Sequence, residues 1–188
     1  MASLEQHTAG DALSQDELLR TTFRKGGTSV LADAFLVMGT LTEAEAGFMF
    51  GFGVLLQLID DLQDLQTDLA NGHRTLFASP ADDWLDEPTA RLWSFTQTVL
   101  WSSGHFAAPK HQPIKALIQE SCKLMILQAV ARNHQRYRPA FAARLETYSP
   151  VRFSYLRARE HLLKDECNDI VSLLRRRGQF DSAFDMLA

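Results

Sequence analysis

Four aspartates recur within one short stretch of the sequence, at Asp60, Asp61, Asp64 and Asp68. Residues three and four positions apart share a helix face, so Asp60, Asp64 and Asp68 would form a row with Asp61 beside it. Gln57 would lie one turn before Asp60. Close carboxylates repel one another and are costly to remove from water, and a divalent cation offsets both effects. Since Mg²⁺ favours carboxylate oxygens, retained water and phosphate, the pattern predicts a magnesium site.

The alternative is a solvated acidic stripe near the end of a surface helix. The preceding turns argue against a surface helix, because residues 48–59 would be apolar on nearly every side of a helix. Such a helix is typically buried. The six histidines show no metal-binding spacing, and the sequence contains no P-loop and no GxGxxG fingerprint. The aspartate cluster is therefore the leading candidate for chemistry.

Two further segments place cations near this helix. Asn71 and Gly72 predict a turn, and the following His73 and Arg74, with backbone N–H groups, could face a phosphate. Upstream, Lys25 precedes a pair of glycines in the preceding helix. Ordinary surface charge is the alternative explanation for Lys25.

Helical periodicity dominates the elements that must position these residues. The spacing predicts helices over residues 14–38, 42–68, 89–102, 114–137, 151–177 and 179–187, with a short one between Pro139 and Pro150. Ser14 with Glu17 predicts a capping box, Gly39 a helix end, and the pair at 26–27 a weakened or kinked helix. We expect an all-α protein with a flexible tail over residues 1–13 and one helical domain over 14–188.

Charge and cysteine usage narrow the class of protein. Residues 1–100 carry 5 basic and 15 acidic side chains, whereas residues 101–188 carry 14 and 8, and four of the 15 acids belong to the aspartate row at 60–68. Cys122 and Cys167 are far apart and predict reduced thiols and a cytoplasmic location.

No apolar run reaches the roughly 18–20 residues of a membrane span. The three arginines at 175–177 are expected to be solvated, so we predict no nucleic-acid partner.

The aspartate helix resembles the class I isoprenoid synthase family, which includes the trans-prenyl diphosphate synthases. Gln57, Asp60, Asp61 and Asp64 match the family's second aspartate-rich motif, Q-x-x-D-D-x-x-D, in order and spacing. Residues 68–76 are similar to its D-x-x-x-G-K-x-T-L segment, with His in place of the lysine. Residues 25–28 are similar to its K-T-G motif, but lack the threonine directly after lysine.

The resemblance implies a helical bundle of the isoprenoid synthase type and a prenyltransferase activity that depends on Mg²⁺. The cation would bind the diphosphate of an allylic prenyl substrate and assist its departure. The resemblance assigns metal binding to Asp60, Asp61, Asp64 and Asp68, with the first three catalytic. It assigns contacts with the diphosphate to Lys25, Gln57, His73 and Arg74.

The sequence departs from the family at one point, because no DDxxD motif precedes Lys25. Residues 82–86 spell DDxxD, but they follow the second motif and are expected to lead into a helix. The chain thus resembles the C-terminal half of the fold. It is expected to be a fragment, to pair with a copy of itself or another subunit that supplies the missing helices, or to be a degenerate member. The alternative function is a non-catalytic helical partner or regulatory subunit that retains the fold.

Overall fold

A computed structural model describes residues 14–78, 84–101 and 111–159, and every regular element in those ranges is helical. The α-helices are α1 (Gln15–Met38), α2 (Glu43–Gln63), α3 (Leu65–Asn71), α4 (Asp86–Trp101), α5 (Gln112–Arg132) and α6 (Pro139–Glu146). A 3₁₀ turn spans His134–Arg136, and residues 153–159 are also helical. The all-α class is confirmed over these ranges. The predicted tail, most of the predicted 151–177 helix and the 179–187 helix lie outside them.

Local sequence signals set the first two helices. Ser14 Oγ accepts from the Glu17 amide at 3.3 Å, and the Glu17 carboxylate accepts from the Ser14 amide at 2.8 Å. Thr42 and Glu45 repeat this capping box at the start of α2 with the same two distances. Gly39 ends α1 with a φ of 75°, a conformation that favours glycine. The predicted capping box at Ser14 and the predicted helix end at Gly39 are confirmed because they depend on neighbours in sequence alone.

Helix α2 is the central element and packs against α1, α4 and α5. Its buried side chains include Leu55, Ile59 and Leu62, which join Leu65 and Phe77 in one apolar core. Contributions from α4, α5 and α6 complete that core. The predicted burial of the apolar stretch is confirmed for residues 53–55, 58 and 59, whereas residues 48–52, 56 and 57 are half-buried. None of the helices within the described ranges combines the length and apolarity needed to cross a membrane.

Helices α1 and α2 cross with their backbones in close approach. A Cβ atom on Gly26 would lie 2.5 Å from both the Gly53 carbonyl oxygen and the Gln57 Cβ atom. At Gly27 the neighbour is the Phe50 ring, also at 2.5 Å. Both glycines lie within α1, which continues uninterrupted to Met38. The expectation that the pair weakens or kinks the helix is not supported: the glycines admit a neighbouring helix, whose packing compensates for their low helix propensity.

Three predicted boundaries are wrong. The helix over 42–68 is divided at Asp64, whose ψ of 4° departs from the helical value. The helix expected from residue 89 begins at Asp86, where the Leu85 amide donates to the Arg136 carbonyl at 2.9 Å. The helix expected to reach residue 137 ends at Arg132 and gives way to the 3₁₀ turn. Each of these differences in helix boundary occurs where residues distant in sequence meet or where the helix type changes locally.

Candidate functional site

Asp61 lies at the α1–α2 contact and is buried, with 7% of its surface exposed. The Gln57 amide donates to Oδ1 at 2.8 Å, and the Thr22 hydroxyl donates to Oδ2 at 3.3 Å. Burial raises the pKa of Asp61 to about 6, against the opposing effects of the two hydrogen bonds and of Lys25. Both carboxylate oxygens are therefore engaged by the protein itself.

Asp60 and Asp64 lie on the exposed side of the same helix face. The Asp64 amide donates to the Asp60 carbonyl at 2.8 Å, so the two residues remain one helical turn apart. Partial desolvation by neighbouring atoms and then the Asp64 carboxylate raise the pKa of Asp60, while Lys25 lowers it. Lys25 of α1 thus lies close enough to Asp60 to stabilise the charge of its carboxylate.

Asp68 continues the face beyond the break. Its amide donates to the Asp64 carbonyl at 2.8 Å, which preserves the one-turn spacing. The His73 ring places Nδ1 3.4 Å from Asp68 Oδ1, because the turn at Gly72, with a φ of 70°, folds residue 73 back onto α3. Partial burial raises the pKa of Asp68, and His73 lowers it. His73 is thereby brought to the aspartate face.

The break at Asp64 is held from α5. Arg132 Nη1 donates to the Gln63 carbonyl oxygen at 3.1 Å, and Gln66 Nε2 donates to Asn133 Oδ1 at 2.8 Å. Asn133 is buried and donates in turn to the Ala129 carbonyl. The bonds to Gln63 and Gln66 thus tie the residues on both sides of the break to the end of α5.

Sequence reasoning missed the supporting residues Thr22, Gln66, Arg132 and Asn133. Thr22 could have been identified from the sequence, because Thr22 and Gly26 lie one turn apart on α1. Two small residues at this spacing indicate a helix face that another helix can approach closely. No local signal identifies Arg132 or Asn133, because their partners lie nearly 70 residues away in sequence.

Arg74 lies in a different setting from the aspartates. It lines a cavity of about 740 Å³ that is bounded by the first half of α1, residues 74–77, the first half of α4, and Arg136 and Arg138. Its Nε is buried, and within the ranges that the structure describes it is the one buried side-chain nitrogen or oxygen with no hydrogen-bond partner. The structure therefore places Lys25 and His73 at the aspartate face and Arg74 on the cavity.

The aspartate face is not a ready-made metal centre. Among the described residues, no three His, Cys, Asp or Glu side chains converge as a metal-binding group. Mg²⁺ commonly binds through one or two carboxylates, with water and substrate phosphates completing its shell. Asp60 and Asp64 supply such a pair: they are exposed, adjacent and mutually repulsive. Their donor chemistry therefore fits Mg²⁺, whereas Asp61 already has two partners.

Comparison of the chain with family models, curated proteins and solved structures gives no match.

Proposed function

We propose that the protein binds an allylic prenyl diphosphate through Mg²⁺ held by the aspartate face, as an isoprenoid-synthase-like protein. The observation that carries the proposal is the assembly of Asp60, Asp64 and Lys25 across the α1–α2 contact. It joins two carboxylates that suit a cation to an ammonium group that suits a phosphate. The sequence motif supports the same assignment independently of the helix packing.

In this proposal Asp60 and Asp64 hold the cation, and Asp68 extends the acidic face. Bound Mg²⁺ would neutralise negative charge on a diphosphate and so assist its departure as a leaving group. Lys25 contributes a charge that attracts the diphosphate and limits repulsion between substrate and carboxylates. His73 provides a second cation when protonated. That Arg74 contacts the same diphosphate remains a prediction from the sequence.

Gln57 and Thr22 have a positioning role in the proposal. Their hydrogen bonds fix the buried Asp61 carboxylate, which lies beside Asp60 in sequence. Fixing Asp61 also sets the register between α1 and α2, on which the approach of Lys25 to Asp60 depends. For Asp61 to be a metal ligand, as the sequence predicts, its hydrogen bonds to Gln57 and Thr22 must be replaced by bonds to the cation.

The test is calorimetric titration of the 188-residue chain with a prenyl thiolodiphosphate, with Mg²⁺ and with EDTA. We expect a component of binding that appears only with Mg²⁺, and a loss of at least about tenfold in the affinity of that component for the Asp60→Ala, Asp64→Ala double variant. The matched control is Asp33→Ala with Glu43→Ala, which removes the same charge from exposed positions of α1 and α2. Equal affinity of the wild type and the Asp60, Asp64 variant would exclude the site.

A non-catalytic helical partner or regulatory subunit is the second candidate. The observation in its favour is Asp61, whose hydrogen bonds to Thr22 and Gln57 give the most buried aspartate a structural role. Turnover separates the two candidates. Diphosphate binding that depends on Mg²⁺ without product formation from prenyl diphosphates would favour the second.

A further inference from the structure

The cavity beside Arg74 has features of a ligand site that the aspartate face does not explain. Its volume is about 740 Å³, which is in the ordinary range for small-molecule pockets. Leu19, Phe23, Leu92 and Phe95 contribute apolar walls from α1 and α4. These helices provide a surface suited to a hydrocarbon or aromatic body.

Basic side chains are concentrated at the same cavity. Arg74, Arg91, Arg136 and Arg138 line it, against the carboxylates of Asp86 and Glu87, so the lining carries a formal charge of +2. The carboxylates are already paired: Glu87 binds Arg91 at 2.6 Å, and Asp86 accepts from the Arg138 amide at 3.1 Å. The lining therefore favours an anion over a cation.

Arg74 is the group within the cavity whose hydrogen bonding is incomplete. A buried donor without an acceptor costs free energy, and native proteins rarely tolerate one without a reason. Because Nε has almost no accessible surface, an anionic oxygen serves as its acceptor once the Arg74 side chain turns towards the cavity that it lines. The guanidinium would then bind the anion through a charge-assisted hydrogen bond.

We infer that this cavity binds an organic anion with an apolar body, such as an alkyl carboxylate or alkyl phosphate, with Arg74 receiving the anionic head. Binding does not require a metal, because arginine rather than carboxylate oxygen faces the ligand. The inference goes beyond the proposed function, since none of the four aspartates lines the cavity.

The test is calorimetric titration of the full chain in EDTA with decyl phosphate, decanoate, decanol and inorganic phosphate, each amphiphile below its micelle concentration. We expect saturable binding of decyl phosphate, of decanoate or of both, and at least about tenfold weaker binding of decanol and inorganic phosphate. The stronger of the two anions identifies the head group. Absence of saturable binding by both anions, or equal binding of decanol or of inorganic phosphate, would overturn the inference.

Variants locate the site. Arg74→Gln should weaken binding of the anion by at least about tenfold, whereas Arg24→Gln, which removes the same charge from an exposed position of α1, should not. Leu19→Trp, at a half-buried cavity position, should block binding by filling the space and serves if Arg74→Gln fails to fold. The Asp60→Ala, Asp64→Ala variant should bind the anion as the wild type does, which separates this site from the magnesium site. Equal effects of Arg74→Gln and Arg24→Gln, with binding retained in Leu19→Trp, would contradict the assignment.

Discussion

The carbonyl oxygen of Gly53 occupies the space that a side chain on Gly26 would need, with only 2.5 Å between that oxygen and a Cβ atom built on Gly26. Helices α1 and α2 are therefore held as close as their backbones permit. This contact lies one turn from the Thr22–Asp61 hydrogen bond on α1 and brings Lys25 towards Asp60. The glycine crossing thus determines the geometry of the proposed site.

Replacement of Gly26 by alanine should destabilise the protein. Alanine at a helix interior ordinarily gains about 0.5–1 kcal/mol over glycine. Here the new methyl group would meet backbone atoms that cannot rotate away, so the helices must separate. We expect Gly26→Ala to lower the free energy of unfolding by about 1–3 kcal/mol, measured by urea denaturation.

Gly47→Ala is the matched control for that substitution. Gly47 lies in α2, and a Cβ atom there has no neighbour within 4 Å. Alanine should therefore raise the free energy of unfolding by up to about 1 kcal/mol. If both variants shift stability in the same direction, close packing at Gly26 does not dominate its energetics.

The buried carboxyl of Asp61 should give a characteristic pH dependence. Its pKa is about 6 in the folded protein against an ordinary value of 3.8, so between these values the native state holds more protons than the unfolded state. The contribution of Asp61 to stability therefore falls as pH rises from about 4 through 6. Asp61→Asn removes this dependence and, at pH 7.5, should raise the free energy of unfolding by up to about 3 kcal/mol.

Urea denaturation of the wild type and Asp61→Asn at pH 5 and pH 7.5 checks this expectation. The difference in unfolding free energy between the two proteins should grow with pH, because only the wild type loses stability through this carboxyl. Asp33→Asn, at an exposed position of α1, is the control for the charge change. A difference that stays constant or shrinks with pH would contradict the assigned burial.

The Gln66–Asn133 hydrogen bond should stabilise the division of the aspartate face at Asp64. Asn133→Ala leaves the Gln66 amide without its acceptor, and we expect a loss of about 1–2 kcal/mol in unfolding free energy. In a double-mutant cycle, Gln66→Ala and Asn133→Ala should show an interaction of about 0.5–1 kcal/mol.

The comparison pair for this cycle is Gln97→Ala with Asn133→Ala. Gln97 is exposed on α4, so its replacement should add to that of Asn133 with no interaction. Thermal or urea unfolding of the wild type, the three single variants and the two double variants provides the energies. Additivity in both cycles would show that the Gln66–Asn133 bond does not contribute to stability.

Signals confined to a few neighbouring residues predicted the structure well. The capping box at Ser14 and the end of α1 at Gly39 depend on residues within one turn, and the structure contains both. The i, i+4 spacing placed Asp60 and Asp64 together. The resemblance assigned Lys25 to the diphosphate, and the close antiparallel approach of α1 and α2 brings this lysine near Asp60.

Features that depend on distant partners were not predictable in the same way. Periodicity predicts a continuous helix over residues 42–68, but the helix is divided at Asp64, next to the Gln63 carbonyl to which the distant Arg132 donates. In the sequence, Arg74 follows a turn close to the aspartates. In the structure, the segment after α3 places Arg74 at the cavity instead. Helix propensity alone predicts that Gly26 weakens α1. In the structure, Gly26 instead allows α2 to pack closely against α1.

The residues that hold the four aspartates in place lie at different distances from them along the sequence. Asp61 is fixed by Thr22, 39 residues before it, whereas the turn that carries Asp64 is held by bonds spanning 67 and 69 residues. A fragment that ended before α5 would contain every aspartate of the motif, yet it would lack the contacts to Gln63 and Gln66 that hold the chain on either side of Asp64. The motif is contiguous in sequence, but the shape of its acidic face is a property of the whole bundle.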